Sequence, residues 1–239
     1  MSQKESVIYG LRAVTALAKH RPQDLRRVLY LKQIRKEIGP VLKATAKNRK
    51  PYREVEIDDL TRVAGTPHHE GVVAIAQPLL TKAFGTTKKT LKKAKCIIAA
   101  DGITNPHNMG AILRSMAWFG ADAYLTDESR TAVNPAALRV SQGGAEHIPI
   151  IRCSTLSGGL RELRELGFDV IAADHRAKDT LTQAAFPKPV CFVLGNENRG
   201  ISQSVLNECN RTIKIAGPGG VESLNVSVAA GILLAASGG

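Results

Sequence analysis

A chain of 239 residues can bury one large core or two modest ones. Its 33 Lys and Arg against 21 Asp and Glu give a formal net charge of +12, which favours a polyanionic partner, and nucleic acid and an anionic membrane surface both fit. No apolar run approaches the ~18 residues of a membrane span, and Met1 to His20 lacks the uninterrupted apolar core of a signal peptide, so a cytoplasmic protein without a membrane segment is expected.

The first 78 residues alternate helical and strand patterns. Val7, Leu11, Val14 and Ala18 recur at helix spacing, and RVLYL (27–31) then has the composition of a short strand. A second helical stretch, Gln33 to Ala46, is interrupted by Gly39 and Pro40. Asp58 and Asp59 follow YREVEI where a short helix can begin, and GTPHHEG leads into the apolar strand VVAIAQ. These patterns predict a small α/β unit over residues 1–78. His68, His69 and Glu70 invite a metal reading, but adjacent histidines lack helical i, i+4 spacing and no third ligand accompanies them, so no metal is expected.

The next stretch, LLTKAFGTTKKTLKKAK, carries six lysines and little that packs a core. It predicts a basic linker or exposed helix over residues 79–94, with the domain boundary there. From 95 to 239, short apolar runs (CIIAA, AYLT, IPII, DVIAA, VCFVL, TIKIA) alternate with helix-like segments, which predicts six strands in the mainly parallel sheet of an α/β domain. Cys96, Cys153, Cys191 and Cys209 stand singly, without the close pairs of a zinc site, and are expected as free thiols. Aromatic residues make up 4% of the chain, too few for rows of base-stacking side chains, so contact with RNA should rest on charge and shape.

Three polar, glycine-containing segments follow expected strands, where open α/β sheets place ligands. The first, DGITNPHNMGAILRSMAWFG (101–120), has Asn105 and Asn108 in a loop and Arg114 on the following helix. Its asparagines also suit turns and caps, and Arg114 a solvated face. The second, FVLGNENRGIS (192–202), ends a buried strand in Gly195, Asn196, Glu197 and Gly200, which fits either close approach to a ligand or an ordinary turn. The third, IAGPGGVESLNVSVAAGILL (215–234), sets Glu222, Ser223 and Asn225 before an apolar helix that Ser223 is placed to cap. Neither glycine segment has the spacing of a dinucleotide fingerprint or a P-loop, which argues against a nucleotide-dependent oxidoreductase.

In this order the three segments resemble the signature motifs of the SpoU (TrmH) family of RNA 2′-O-ribose methyltransferases, in the SPOUT superfamily: NxxNxGAxxR, LGNExxG and VESLNVSVAAG. The resemblance covers the whole second domain, including SQGGAEHIPI (141–150). The N-terminal unit is similar to the family's small ribosomal-protein-like RNA-binding domain, whose closing strand stands here as HHEGVVAIA, so the pattern is nearer to ribosomal-RNA members than to bare transfer-RNA ones.

The resemblance implies a trefoil-knotted, parallel-sheet α/β methyltransferase domain preceded by a small α/β RNA-binding domain, acting on rRNA or tRNA as a homodimer with its site completed across the interface. It implies S-adenosylmethionine as cofactor, held by backbone around Leu194, Gly195, Ile215 and Leu224. Arg114 would be the catalytic arginine, with Asn108, Glu197, Ser223 and Asn225 orienting it, the hydroxyl and the loops. A guanidinium, with a pKa above ~12, is a poor base, so Arg114 is expected to orient ribose and phosphate while assisting proton removal. Arg21, Arg26, Arg27, Lys32, Arg35, Lys36, Arg49, Lys50 and Arg53 are the expected N-terminal RNA surface. The alternative from another class is a catalytically inactive RNA-binding or assembly protein of the same fold, against which the completeness of the polar set argues.

Overall fold

The computed structural model describes residues 5–127, 133–184, 186–187 and 189–238. The chain opens with β1 (Ser6–Tyr9), α1 (Leu11–His20), β2 (Leu25–Tyr30), α2 (Gly39–Lys47), β3 (Tyr52–Glu54), α3 (Ile57–Ala64) and β4 (Val72–Ala76). β1 and β2 each pair antiparallel with β4, and β3 adds to β2 in parallel, giving the order β1-β4-β2-β3. Val7, expected in the first helix, lies in β1 instead. Gly10, at a φ of +93°, turns the chain between the two elements, a backbone conformation open to glycine. Nor do Gly39 and Pro40 interrupt a helix. They begin α2, with the proline in the first turn, where a missing N–H forfeits no bond.

The second unit runs β5 (Lys82–Ala83), α4 (Phe84–Leu91), β6 (Cys96–Asp101), α5 (Pro106–Phe119), β7 (Ala123–Asp127), α6 (Pro135–Ser141), β8 (Ile150–Cys153), α7 (Leu156–Glu165), β9 (Asp169–Ala173), β10 (Val190–Gly195), α8 (Gln203–Leu206), β11 (Arg211–Ile213) and α9 (Val226–Ala236). All six expected strands are present as β6 to β11. The short β5 from the lysine-rich stretch adds a seventh, and every neighbouring pair in the order β11-β9-β10-β6-β7-β8-β5 is parallel. Residues 79–94 thus join this sheet. Phe84, Thr87 and Leu91 of α4 are buried at i, i+3 and i+7 while the lysines remain exposed.

Helices cover both faces of the sheet, which is why its strands are continuously apolar. Along β6, Cys96, Ile98 and Ala100 pack with α5, α6 and α9, whereas Ile97 and Ala99 pack with α4, α7 and α8. The first face continues without a break into the N-terminal unit through Val14, Leu17 and Leu25. Arg21, at the end of α1, fixes this seam. Its guanidinium donates to Glu146 at 2.7 and 3.0 Å and to Asp24 at 2.8 Å, with the Arg21 and Glu146 side chains only 13% and 5% exposed. Among the described residues no helix is long and apolar enough to cross a membrane.

Candidate active site

The strand order changes direction between β6 and β10, and the loops after these strands meet there, at the carboxyl edge of the sheet. The loop after β10 is a tight turn in which Asn196 and Gly200 exchange backbone hydrogen bonds at 3.1 and 2.8 Å. It closes only because residue 195 is glycine: a Cβ there would lie 2.4 Å from the carbonyl carbon of Gly200. The side chain of Asn196 accepts from the backbone N–H groups of Asn198 and Arg199 and donates to the Gly102 carbonyl at 2.9 Å, tying the turn to the loop after β6.

That second loop leads into α5. Asn105 is its N-cap, accepting from the His107 N–H at 2.9 Å, with Pro106 at the first helical position. Asn108 has a different use. Buried to 8% exposure, it donates through Nδ2 to Glu197, and its Oδ1 accepts from Nδ2 of Asn225 at 3.1 Å. Asn225 in turn caps α9, accepting from the backbone N–H and hydroxyl of Ser227 at 2.9 and 2.6 Å. One chain of side-chain hydrogen bonds, Glu197–Asn108–Asn225, therefore ties all three motif segments together. The cap expected of Ser223 is made by Asn225, two residues later, and Ser223 stands exposed on the preceding loop. Arg114 lies outside this chain: it is exposed on α5, with no hydrogen bond or ion pair among the described residues.

A cavity of about 1250 Å³ opens beside the network. Leu194, Gly195, Ile215 and Leu224 all line it, as do Glu197 and Ser223, whereas Asn108, Asn225 and Arg114 are not part of its lining. Apolar side chains of Leu194, Ile213, Ile215 and Ala229 form one part of the lining and the exposed backbone of the glycine-rich loop another. This combination fits a ligand with a flat heterocycle and a polar, charged tail, the make-up of S-adenosylmethionine. The loop after β9 adds Asp174, His175 and Arg176, which the motifs did not single out. Arg176 donates to Asp174 at 3.0 and 2.7 Å, and this hydrogen bonding holds the carboxyl below its ordinary range against the opposing effect of burial. The signal available in the sequence was position alone, three charged or polar residues directly after the strand DVIAA.

Of the basic residues expected to face RNA, Arg21 is spent on the domain seam and is not part of an RNA surface. Arg27, Lys32, Arg35, Lys36, Arg49 and Arg53 are exposed, and Arg26 and Lys50 are half-buried. His69 is a buried structural residue: its Nδ1 accepts from the Gly71 N–H at 3.1 Å and its Nε2 lies 3.1 Å from the Thr61 hydroxyl.

The model of the SpoU rRNA methylase family matches residues 95–235, and that of the RNA 2′-O ribose methyltransferase substrate-binding domain matches residues 7–81. The 23S rRNA (guanosine-2′-O-)-methyltransferase RlmB of Ralstonia nicotianae is 32% identical, over 97% of this chain and 94% of that protein. An uncharacterized tRNA/rRNA methyltransferase, YfiF, of Escherichia coli O157:H7 is also 32% identical, over 97% of this chain but 67% of its own length, and a Haemophilus influenzae relative at 30% is covered over 66% of its length. The chain thus spans about two thirds of these two relatives. Among solved structures, an AdoMet-bound rRNA methyltransferase from Sinorhizobium meliloti has the same fold, with a TM-score of 0.78 at 21% identity over 98% of this chain and 86% of that one. The chain belongs to the SpoU rRNA methylase family, with the family's substrate-binding domain ahead of its methylase domain.

Proposed function

We propose that the protein moves a methyl group from S-adenosylmethionine to a ribose 2′-hydroxyl in structured RNA, ribosomal in preference to transfer RNA, and works as a homodimer in the cytoplasm. The observation that carries this reading is the Glu197–Asn108–Asn225 chain, which locks the three motif segments beside the cavity while Arg114 stays free to meet a substrate. The preference for rRNA is supported by the substrate-binding domain and by relatives named for 23S rRNA methylation.

Methyl transfer to oxygen is a displacement, so the chain must align the reacting groups and help the hydroxyl lose its proton. Bound S-adenosylmethionine supplies an electrophilic methyl group. Leu194, Gly195, Ile215 and Leu224 hold the cofactor, Ser223 faces the ribose, and Asn108 and Asn225 keep Glu197 and the loops in place. Arg114, as a permanent hydrogen-bond donor, grips the ribose and its phosphate and stabilises the developing 2′-oxyanion while the proton passes to that phosphate or to water. Residues 1–78 act as the RNA-binding unit and 95–239 as the methyltransferase unit. A trefoil knot belongs to the same reading, supported by the return of the chain from the edge strand β11 to pack α9 against α5.

The homodimer is supported by α9, which carries no charged residue over 226–236 yet leaves Val228 exposed, and by Trp118 on the adjoining α5, 84% exposed. A helix apolar on all sides calls for cover on all sides. Arg114 lies one turn from Trp118 on the same helix, so pairing through this face would bring Arg114 to the dimer interface. The test is single-turnover transfer of labelled methyl to undermethylated rRNA. Arg114→Ala is expected to slow it at least ~100-fold with cofactor affinity unchanged. An undiminished rate would remove Arg114 from the mechanism.

A further inference from the structure

We infer that the lysine face of α4 is a second RNA-binding surface, on the methylase domain itself, which holds phosphates of the substrate away from the nucleotide being modified. The inference rests on the RNA reading above. Residues 79–95 contain six lysines and no Asp or Glu, so half of the chain's excess of twelve positive charges lies in 17 residues. The fold sorts this stretch cleanly. Phe84, Thr87, Leu91 and Ala94 turn inward, and Lys82, Lys88, Lys89, Lys92, Lys93 and Lys95 are all exposed.

The helical turns continue past Leu91, because the Lys92 N–H donates to the Lys88 carbonyl at 3.1 Å and the Ala94 N–H to that of Leu91 at 3.0 Å. Lys88 and Lys92 lie one helical turn apart, about 6 Å along the axis, and Lys89 and Lys93 flank them on the same stretch. Like charges at this spacing repel. Of these lysines only Lys88 forms an ion pair among the described residues, with Glu162 of α7, and the Asp122 carboxylate accepts the backbone N–H of Lys95 at 2.6 Å.

Ordinary structural uses account for part of the set. Lys82 guards β5, the last strand of the sheet, against stray pairing, and one or two lysines near the end of α4 suit the helix dipole. Lys89, Lys92 and Lys93 remain without an acidic partner among the described residues, with Lys95 beside them and no exposed aromatic in the set, a composition suited to phosphates and not to bases. The surface also stays open in the proposed dimer. α4 lies on the sheet face opposite α5, α9 and the N-terminal unit, so neither the partner copy nor the substrate-binding domain covers it.

The test uses the full chain with Lys89→Gln, Lys92→Gln, Lys93→Gln and Lys95→Gln combined, changes that leave the core untouched. Binding to undermethylated rRNA is measured across a salt series, beside melting temperature and S-adenosylmethionine affinity. The expected result is at least a ~10-fold rise in Kd near physiological salt and a fall of about 3 in the slope of log affinity against log salt, with melting and cofactor binding unchanged. Wild-type RNA binding matched by the variant in both affinity and slope would overturn the surface and leave the methyltransferase reading standing. Failure of the wild-type chain to bind any RNA would overturn both. Loss of poly-glutamate binding with RNA binding intact would mean an acidic protein partner, and would overturn the assignment to RNA.

Discussion

Asn105 and Asn108 show how two copies of one side chain in a single motif take different work. Both suit a turn or cap, and what separates them is Pro106: proline favours the first helical position, so the residue before it is the cap. Asn108, a turn further in, is left with an amide that helix geometry does not use, and its donor and acceptor are taken by Glu197 and Asn225. That pairing joins residues 89 and 117 positions apart, a separation that no local pattern encodes. The same limit applies to Ser223, whose capping role falls to Asn225.

His69 illustrates a buried group with a measurable consequence. Burial lowers its pKa, and its Nδ1 can accept from Gly71 only when unprotonated, leaving Nε2–H to donate to Thr61. An unfolded histidine titrates near ~6.5. The folded value lies below this, so the contribution to stability is complete above about pH 6.5 and is lost as pH falls through the folded value. Thermal melts between about pH 5 and 8 should show the wild-type chain losing more stability on acidification than His69→Gln. Parallel curves would mean that His69 is not the neutral, buried donor and acceptor described here.

At the scale of elements, every strand of the second sheet expected from its apolar run is present, because a strand covered on both faces must be apolar throughout. α4 was harder to read. Its inward face includes Thr87, a polar residue, but the hydroxyl donates to the Phe84 carbonyl at 2.8 Å and so enters the core with its hydrogen bond made. Val7 fits the helical spacing of its neighbours by coincidence, and the glycine at position 10 decides between strand and helix. The pair α5 and α9 bears the dimer proposal: both expose apolar side chains on a face with little to cover it within one chain. Trp118→Arg is expected to shift the protein from dimer to monomer in sedimentation velocity while its melting temperature changes little. A wild-type chain that sediments as a monomer at micromolar concentration would refute the dimer.

Across the whole molecule, the sequence marks two composition regimes with a lysine-rich stretch between them, yet the two units share one continuous core at the α1 seam. The contacts responsible are non-local. Arg21 and Glu146 are 125 positions apart, and leaving the Glu146 carboxylate unpaired at this depth costs about 3–5 kcal/mol, so the seam is held firmly at that point. Reading Arg21 as an RNA contact was reasonable for an arginine in a basic region, and burial is what redirects it. The motif residues, by contrast, were legible as a set before any geometry, since their order and spacing identify a family even where each alone fits a turn.

The central claim is the reaction itself, and one measurement addresses it directly. Purified protein is incubated with labelled S-adenosylmethionine and, separately, undermethylated ribosomal and transfer RNA, and the RNA is then digested to nucleosides. The expected result is a 2′-O-methylnucleoside from the ribosomal pool. A base-methylated nucleoside, or no transfer to either pool despite intact cofactor binding, would contradict the claim.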